Sequence, residues 1–488
     1  MSMKIAGLDI GTSGCKLTVF EENGQMLEKS YRDYPVRRAV SGHEMDASAI
    51  MDGVIGVIRE LAPRHPDLAA IGVTSFGETF VLANESGLPL CPSMLYTDPR
   101  GAEECAGLCD KLGPRHIASV TGLRPHQMYS LPKMMWIRNH HPEIWKQVRH
   151  VFLIEDYVVY HLSGRAQMSH SLATRTMAFD IRSLTWSREL FDAAGIEISL
   201  MSPLVPSGTP AGTVTAKIAA ETGLSPSCQI VTVCHDQVAA CVGAGAFDGS
   251  VAVDGAGTVE CLTPVYDALP DTDAMYDGFF SVVPYVLPGK YVAYAFTYTG
   301  GALIQWCMET FGKGETYDSM EGLYTANRPT DLLVLPHFAG AATPYMDIGS
   351  KGAIVGLTAS VTAPEIYRAC MEGVAYEMRL NYEALQPSGV RFRRLNATGG
   401  GARSKVWMQM KADMLNLPIT ALKTSDAGTV GSAMLTGIAV GCFSNPEEAA
   451  RIMVRETETY VPRPEWHEAY MKNYERYKKL YGAVRPLV

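Results

Sequence analysis

Residues 234–260 read CHDQVAACVGAGAFDGSVAVDGAGTVE. An apolar, β-rich run ends at Cys234, and Asp236 follows it ahead of a small-residue stretch that suits a helix. Asp254 then opens a second glycine turn: Ser250–Asp254 predicts a strand, Gly255-Ala-Gly-Thr258 a turn, and Glu260–Val265 another strand. Two loops that need tight turns would account for the glycines. A phosphate site divided between turns, with a catalytic base beside it, would account for the aspartates as well.

The theme also opens the chain. Lys4–Leu8 is a short apolar run, Asp9-Ile-Gly-Thr-Ser-Gly14 a turn, and Lys16–Phe20 an alternating strand. Asp9-Ile-Gly-Thr12 and Asp254-Gly-Ala-Gly-Thr258 are imperfect echoes, each leading a series of β-hairpins. A helix is expected from about Ala47 to Leu61 and a buried strand over Ala69–Thr74. Thr362-Ala-Pro-Glu365 predicts a helix start closed by a capping box, with Ile366, Cys370, Gly373, Val374 and Met378 on one face. A third glycine turn, Thr398-Gly-Gly-Gly-Ala402, precedes a helix from about Ser404 to Leu417. Gly428 and Gly431 predict a turn before an apolar helix over Ser432–Val440, and Tyr470–Leu480 a solvated surface helix. With no low-complexity linker visible, the domain boundary is expected near residue 246, giving domains 1–246 and 247–488.

A chain of 488 residues favours two large domains over one. Its net charge of −9 gives no electrostatic reason to expect nucleic acid or an anionic membrane as partner. Eleven scattered cysteines without a Cys-x-x-Cys suit a reducing cytoplasm rather than a zinc site. Neither a signal peptide nor a membrane span is expected, because Asp9 interrupts the first apolar run and none reaches ~18 residues.

Three glycine turns at strand ends suggest one polyphosphate gripped from several sides, since glycine lets backbone N–H groups approach phosphate oxygens. Thr12, Ser13 and Thr258 add hydroxyls and Lys16 a positive charge. None of the turns is a Walker A loop or a full dinucleotide motif. A carboxylate beside phosphate needs a reason. For Asp9 the expected reason is Mg²⁺, a hard cation that takes oxygen ligands. For Asp236 it is general-base work on an attacking hydroxyl, with a helix N-cap as the plain alternative. On the acceptor side, Ser75-Phe-Gly-Glu-Thr79 places Glu78 at a strand end, and Tyr96-Thr-Asp-Pro-Arg100 carries Asp98 near Arg100. These suit hydroxyl recognition, against the plainer reading of a surface ion pair.

Taken together, these segments resemble the FGGY carbohydrate kinases, of the actin, hexokinase and heat-shock ATPase superfamily. Asp9–Lys16 resembles the first phosphate motif and Met128–His140 the first signature. His235-Asp236-Gln237 is similar to the segment that holds the catalytic base, and Gly257-Thr258 to the second phosphate motif. Gly301–Trp306 resembles the nucleotide-lining segment, and Gly399–Ser404, running on to Asn416, the second signature. The resemblance implies an α/β fold of two ribonuclease H-like (actin/hexokinase-type) domains around a central cleft, the N-terminal one binding sugar and the C-terminal one nucleotide. It implies ATP and Mg²⁺ as cofactors, a small-molecule sugar as substrate, closure over the cleft, and dimers as a common assembly. Asp236 becomes the base. The substrate-side set is Gly77, Glu78, Asp98, Arg100 and Tyr129. The nucleotide-side set is Thr12, Ser13, Lys16, Gly257, Thr258, Gly301, Gln305, Gly400, Gly401 and Ser404, with Asp9 at the metal.

Departures bear on the substrate. Gly77-Glu78 stands where glycerol kinases carry Arg-Glu, and Phe76-Gly-Glu78 where xylulokinases carry Gln-Met-His. Ser75-Phe-Gly77, Gly243–Ala246 and Phe443–Glu448 are closer to L-fuculokinases, whereas Ser171–Met177 looks like xylulokinases. His235 replaces the family's usual glycine. The expected activity is ATP-dependent phosphorylation of a ketose, foremost a ketopentose such as xylulose. The alternatives are a deoxyketose like L-fuculose, a polyol, or a non-catalytic sugar or nucleotide sensor.

Overall fold

The computed structural model describes residues 3–39, 42–326, 328–424 and 426–488. The chain divides into two compact units. The first comprises Met1–Phe247, Val282–Lys290 and Asp426–Val454; the second comprises Asp248–Ser281, Tyr291–Ser425 and Arg455–Val488. A single cut at 246/247 leaves Asp426–Val454 in the second half, whereas the fold places that segment with the first unit.

The first unit's strands are β1 (Lys4–Ile10), β2 (Gly14–Glu21), β3 (Met26–Asp33), β4 (Leu68–Ser75), β5 (Thr209–Thr213) and β6 (Gln229–His235). They form a six-stranded sheet in the order β5-β6-β4-β1-β2-β3. β1, β2 and β3 are antiparallel hairpin neighbours; β1, β4 and β6 run parallel; β5 closes the far edge antiparallel. The Ala47–Leu61 helix begins at an Asp46 cap and buries Ile50, Val54, Val57, Ile58 and Leu61, the stripe its periodicity predicts.

The second unit repeats this plan with β7 (Val251–Ala256), β8 (Glu260–Tyr266), β9 (Tyr291–Thr297), β10 (Arg394–Thr398), β11 (Ile419–Leu422) and β12 (Glu456–Tyr460). Their order is β9-β8-β7-β10-β11-β12, with antiparallel hairpin neighbours on one side and parallel β7, β10 and β11 on the other. The two sequence echoes therefore occupy equivalent places, at the turn after each unit's first strand. Crossovers between parallel strands need a covering helix, and both units supply them.

Three expectations change. Gly428 and Gly431 form no turn: they lie inside a helix over Ala427–Ala439. Close packing explains the glycines. A Cβ at Gly431 would lie 1.9 Å from the Ala239 carbonyl oxygen, and one at Gly243 would lie 1.9 Å from that of Ala427. The same helix lies flush on the sheet, where a Cβ at Gly7 would come within 2.2 Å of the Thr429 carbonyl oxygen. Tyr470–Leu480 is not a solvated surface helix, since Tyr470, Tyr474, Tyr477 and Leu480 belong to the second unit's core. Their hydroxyls are satisfied there: Tyr474 donates to Glu383 at 2.9 Å and Tyr470 accepts from Arg368 at 2.7 Å. Thr362 does precede the Ala363–Leu385 helix, yet its side chain makes no cap hydrogen bond, and a proline stands at the helix's second position. Among the described residues no helix is long and apolar enough to cross a membrane.

Gly431→Ala is expected to destabilise the chain by about 1–3 kcal/mol through overpacking against backbone. Thermal denaturation reads this, and a melting temperature within 1 °C of wild type would refute the contact's importance.

Candidate active site

β6 ends at His235, and Asp236 is the first residue of the Asp236–Gly243 helix. His235, not Asp236, occupies the cap position, so the plain alternative for Asp236 falls. Asp236 Oδ1 accepts from the Gln237 N–H at 2.6 Å and lies 3.2 Å from His235 Nε2. Oδ2 has no hydrogen-bond partner among the described residues. The side chain is 26% accessible. Burial, then the charge of Asp9, pushes the Asp236 carboxyl well above the usual carboxylate range. His235 is buried, and burial followed by the nearby Arg175 holds its imidazole well below the ordinary histidine value.

Asp9 lies on β1 directly across from Lys16 on β2. Lys16 nevertheless turns its ammonium to Asp426, at 2.7 Å, at the start of the Ala427–Ala439 helix. Asp9 is left with no hydrogen bond or ion pair among the described residues, and burial raises its carboxyl. A half-buried carboxylate without a donor is the chemistry of an oxygen ligand for a hard cation, so Asp9 fits Mg²⁺. Thr12 and Ser13 form the turn after β1. Neither their backbone N–H groups nor their hydroxyls find a partner among the described residues.

The substrate-side residues split into two sets. Glu78 is buried with φ 63°, and accepts from Arg175 Nε at 2.7 Å and from its Nη2. The Arg175 guanidinium also lies 5.3 Å from the Tyr129 ring. A Cβ at Gly77 would sit 2.5 Å from Arg175 Cγ and 3.2 Å from His235 Nε2, so glycine is what lets these side chains close up. Gly77, Glu78, Tyr129 and Asp236 thus share a neighbourhood through Arg175 and His235, neither of which sequence reasoning singled out for a role. Asp98 and Arg100 pair with each other rather than with this set. Asp98 accepts from Arg100 Nε at 2.8 Å and from the His43 N–H at 2.7 Å, while Arg100 also reaches Glu44 at 2.7 Å. Burial pushes the Asp98 carboxyl up, and Arg100 outweighs it, leaving it below its ordinary value. With no exposed side-chain surface on Asp98, the ion pair is interior, not superficial.

In the second unit the nucleotide-side glycines converge. Gly257 and Thr258 form the β7–β8 turn, and the Gly301–Phe311 helix starts against it, Gly301 N donating to Gly257 O at 2.8 Å and Ala302 N to Thr258 O at 3.1 Å. A Cβ at Gly301 would meet the Gly257 oxygen at 2.7 Å. Gly399, at φ +95°, and Gly401 pack on Ala256, leading into the same turn. The backbone N–H groups of Thr258 and Gly400 have no acceptor among the described residues. Two side chains are already engaged: Ser404 caps the Lys405–Leu415 helix and donates to Glu321 at 2.7 Å, and Gln305 donates to Glu309 at 2.8 Å. Asp254, the echo of Asp9, is fully buried and accepts from Lys411 Nζ at 2.9 Å; Lys411 also bonds Glu260. The two echoed aspartates therefore sit in different surroundings, Asp9 without a donor among the described residues and Asp254 paired with a lysine inside the core.

The chain matches the FGGY family of carbohydrate kinases, N-terminal domain, over residues 4–243, and the C-terminal domain over residues 256–440. A xylulose kinase of Staphylococcus epidermidis is 27% identical over 493 residues, covering 99% of this chain and 97% of its own. A gluconokinase of Bacillus subtilis is 27% identical over 480 residues, covering 95% and 92%. The solved structure of ligand-bound xylulose kinase from Lactobacillus acidophilus aligns with a TM-score of 0.91 at 22% identity, over 99% of this chain and 98% of that one, and so shares the fold.

Proposed function

The chain belongs to the FGGY family of carbohydrate kinases, and from that premise we propose that it transfers the γ-phosphoryl group of ATP to a hydroxyl of a ketose, a ketopentose such as xylulose foremost. Asp236 carries the reading. Its Oδ1 accepts from the Gln237 N–H with His235 Nε2 3.2 Å away, its Oδ2 has no hydrogen-bond partner among the described residues, and its basicity is raised by burial and Asp9. That carboxylate suits removal of a proton from an attacking hydroxyl.

Phosphoryl transfer asks mainly for positioning and charge neutralisation. In the first unit the open N–H and hydroxyl groups of Thr12 and Ser13, and in the second the N–H and hydroxyl of Thr258 with the Gly400 N–H, each offer donors suited to phosphate oxygens. Gly257, Gly301 and Gly401 keep the neighbouring backbone bare enough for approach. Gln305 and Ser404 remain proposed nucleotide contacts, and Lys16 becomes one by exchanging Asp426 for phosphate. Asp9 would hold Mg²⁺, whose charge neutralises the phosphates. Asp98 and Arg100 serve the acceptor by fixing the segment after Tyr96. Eleven cysteines that form no disulfide among the described residues support a place in the reducing cytoplasm.

Asp9, Glu78 and Asp236 bring carboxylates to this site, and Arg175 turns Nε and Nη2 to Glu78. A neutral acceptor suits that balance better than an aldonate, which favours the function named for the xylulose kinase relative over that of the gluconokinase. A deoxyketose or polyol is the second reading, because it too is neutral. A sensor would not need a poised Asp236.

The test is ADP release with Mg-ATP across ketopentoses, deoxyketoses, ketohexoses, polyols and gluconate. A neutral ketose should exceed gluconate at least about tenfold in kcat/KM, a difference of about 1.4 kcal/mol. Preference for gluconate would overturn the neutral acceptor. Intact ATP binding without turnover on any member would overturn the kinase reading.

A further inference from the structure

We propose that His235 is the positioning residue for Asp236: its Nε2–H holds Oδ1, so that Oδ2 is the oxygen presented to the acceptor hydroxyl. The proposal rests on the reading of Asp236 as the base.

An aspartate's χ2 is soft and nearly two-fold, so a single donor does not decide which oxygen faces outward. The Gln237 N–H supplies one donor at 2.6 Å, and His235 Nε2, at 3.2 Å, reaches the same oxygen. Two contacts on Oδ1 distinguish it from Oδ2, which has none among the described residues. The backbone that carries the imidazole is itself fixed. The His235 backbone N–H donates to Ser171 Oγ at 3.0 Å. Ser171 sits in the short His170–Ala173 helix, whose cap Ser169 is tied by its hydroxyl to Glu155 at 2.8 Å. On the other side Gly77 passes so close that a Cβ would lie 3.2 Å from Nε2. With 6% of its side chain accessible, the ring has little room to turn.

The charge state matters for the role. Burial and Arg175 keep the imidazole neutral at physiological pH. A neutral ring beside a carboxylate carries its proton on the nitrogen that faces the carboxylate. It can therefore orient Asp236 without the full positive charge of an imidazolium, which would lower the basicity of the carboxylate. Neutral donation combines a fixed direction with a base that stays strong.

The experiment is steady-state kinetics of the full-length chain with Mg-ATP and the best acceptor of the panel, comparing His235→Ala, His235→Gln and Asp236→Asn. His235→Ala should lower kcat by about 10- to 100-fold, the scale of a misplaced catalytic group, with the ATP KM within about twofold. His235→Gln, whose amide N–H can reach the same oxygen, should recover to within about fivefold of wild type. Combining His235→Ala with Asp236→Asn should cost no more than Asp236→Asn alone, because a positioning residue has nothing left to position. If the alanine cavity unfolds the chain, His235→Leu against His235→Gln makes the same comparison at preserved bulk. A kcat for His235→Ala within twofold of wild type overturns the proposal, as does a Gln variant as slow as Ala or Leu at equal thermal stability. Full activity of Asp236→Asn would instead remove the base reading itself, so the two failures are distinguishable.

Discussion

Asp236→Asn lowers kcat by roughly 10²–10⁴-fold, and the variant melts at or above the wild-type temperature at pH 8. The two halves of this result come from one cause. Asparagine keeps the shape and the Gln237 contact but cannot accept a proton. It also removes a carboxylate that burial and Asp9 make costly to ionise. The sign follows from linkage: a group whose folded pKa is raised stabilises the fold while protonated, and that contribution is lost as pH rises through the raised value. Wild type should therefore lose stability relative to the variant between about pH 4, the ordinary aspartate value, and the raised value. Below about pH 4 the two should converge. Activity should show the same group, with the acid limb of wild-type kcat/KM lying above pH ~4 and absent from residual Asn activity. Turnover within a few-fold of wild type, or an acid limb below pH ~4, would remove Asp236 from the role of base.

Local patterning made much of this molecule legible. The helix over Ala47–Leu61 was expected at the bounds it has, and β4 from a buried run whose prediction fell one residue short at each end. The Asp-Gly-Thr echo pointed to a duplicated plan because both copies lie at the turn after an equivalent strand. What sequence misread was set by distant contacts. Gly428 and Gly431 looked like a turn because glycine signals conformational freedom, but the fold uses its lack of a Cβ against Ala239 and at Asp9. Tyr470, Tyr474 and Tyr477 looked solvated because lysines and glutamates interleave them, yet their own spacing is a core stripe. At the site, Asp236 was legible from its place after a strand. The role of His235 was not, because its surroundings are set by Ser171, Gly77 and Arg175, which are 60 or more residues away in sequence. Arg175 was hidden for the same reason: its partner Glu78 lies 97 residues earlier.

Lys411 marks the second large effect. Lys411→Met should destabilise the second unit by about 3–5 kcal/mol at pH 8, the usual result of deleting one partner of a buried ion pair. The ammonium has no exposed surface, lies 2.9 Å from Asp254 Oδ2, bonds Glu260 as well, and sits 4.5 Å from the Trp407 ring centroid. Asp254 and Glu260 stand on β7 and β8, the two strands joined by the Gly257-Thr258 turn. Without the cation, two buried carboxyls face each other at the base of that turn. Burial first, then Asp254, already drives the Glu260 carboxyl well up, so it holds a proton more readily than an ordinary glutamate. Protonation can therefore relieve the variant. Its destabilisation should shrink as the pH is lowered to 5 and grow toward pH 9, as denaturant unfolding at several pH values would read. Adding Asp254→Asn and Glu260→Gln should restore most of the loss at pH 8, since an apolar methionine among neutral amides leaves no stranded charge. Because the turn proposed to hold phosphate rests on this pair, the single variant should also raise the ATP KM, with the triple variant recovering part of it. A Lys411→Met chain as stable as wild type at pH 8, or a loss independent of pH, would mean that packing around Trp407, not charge, holds the turn in place.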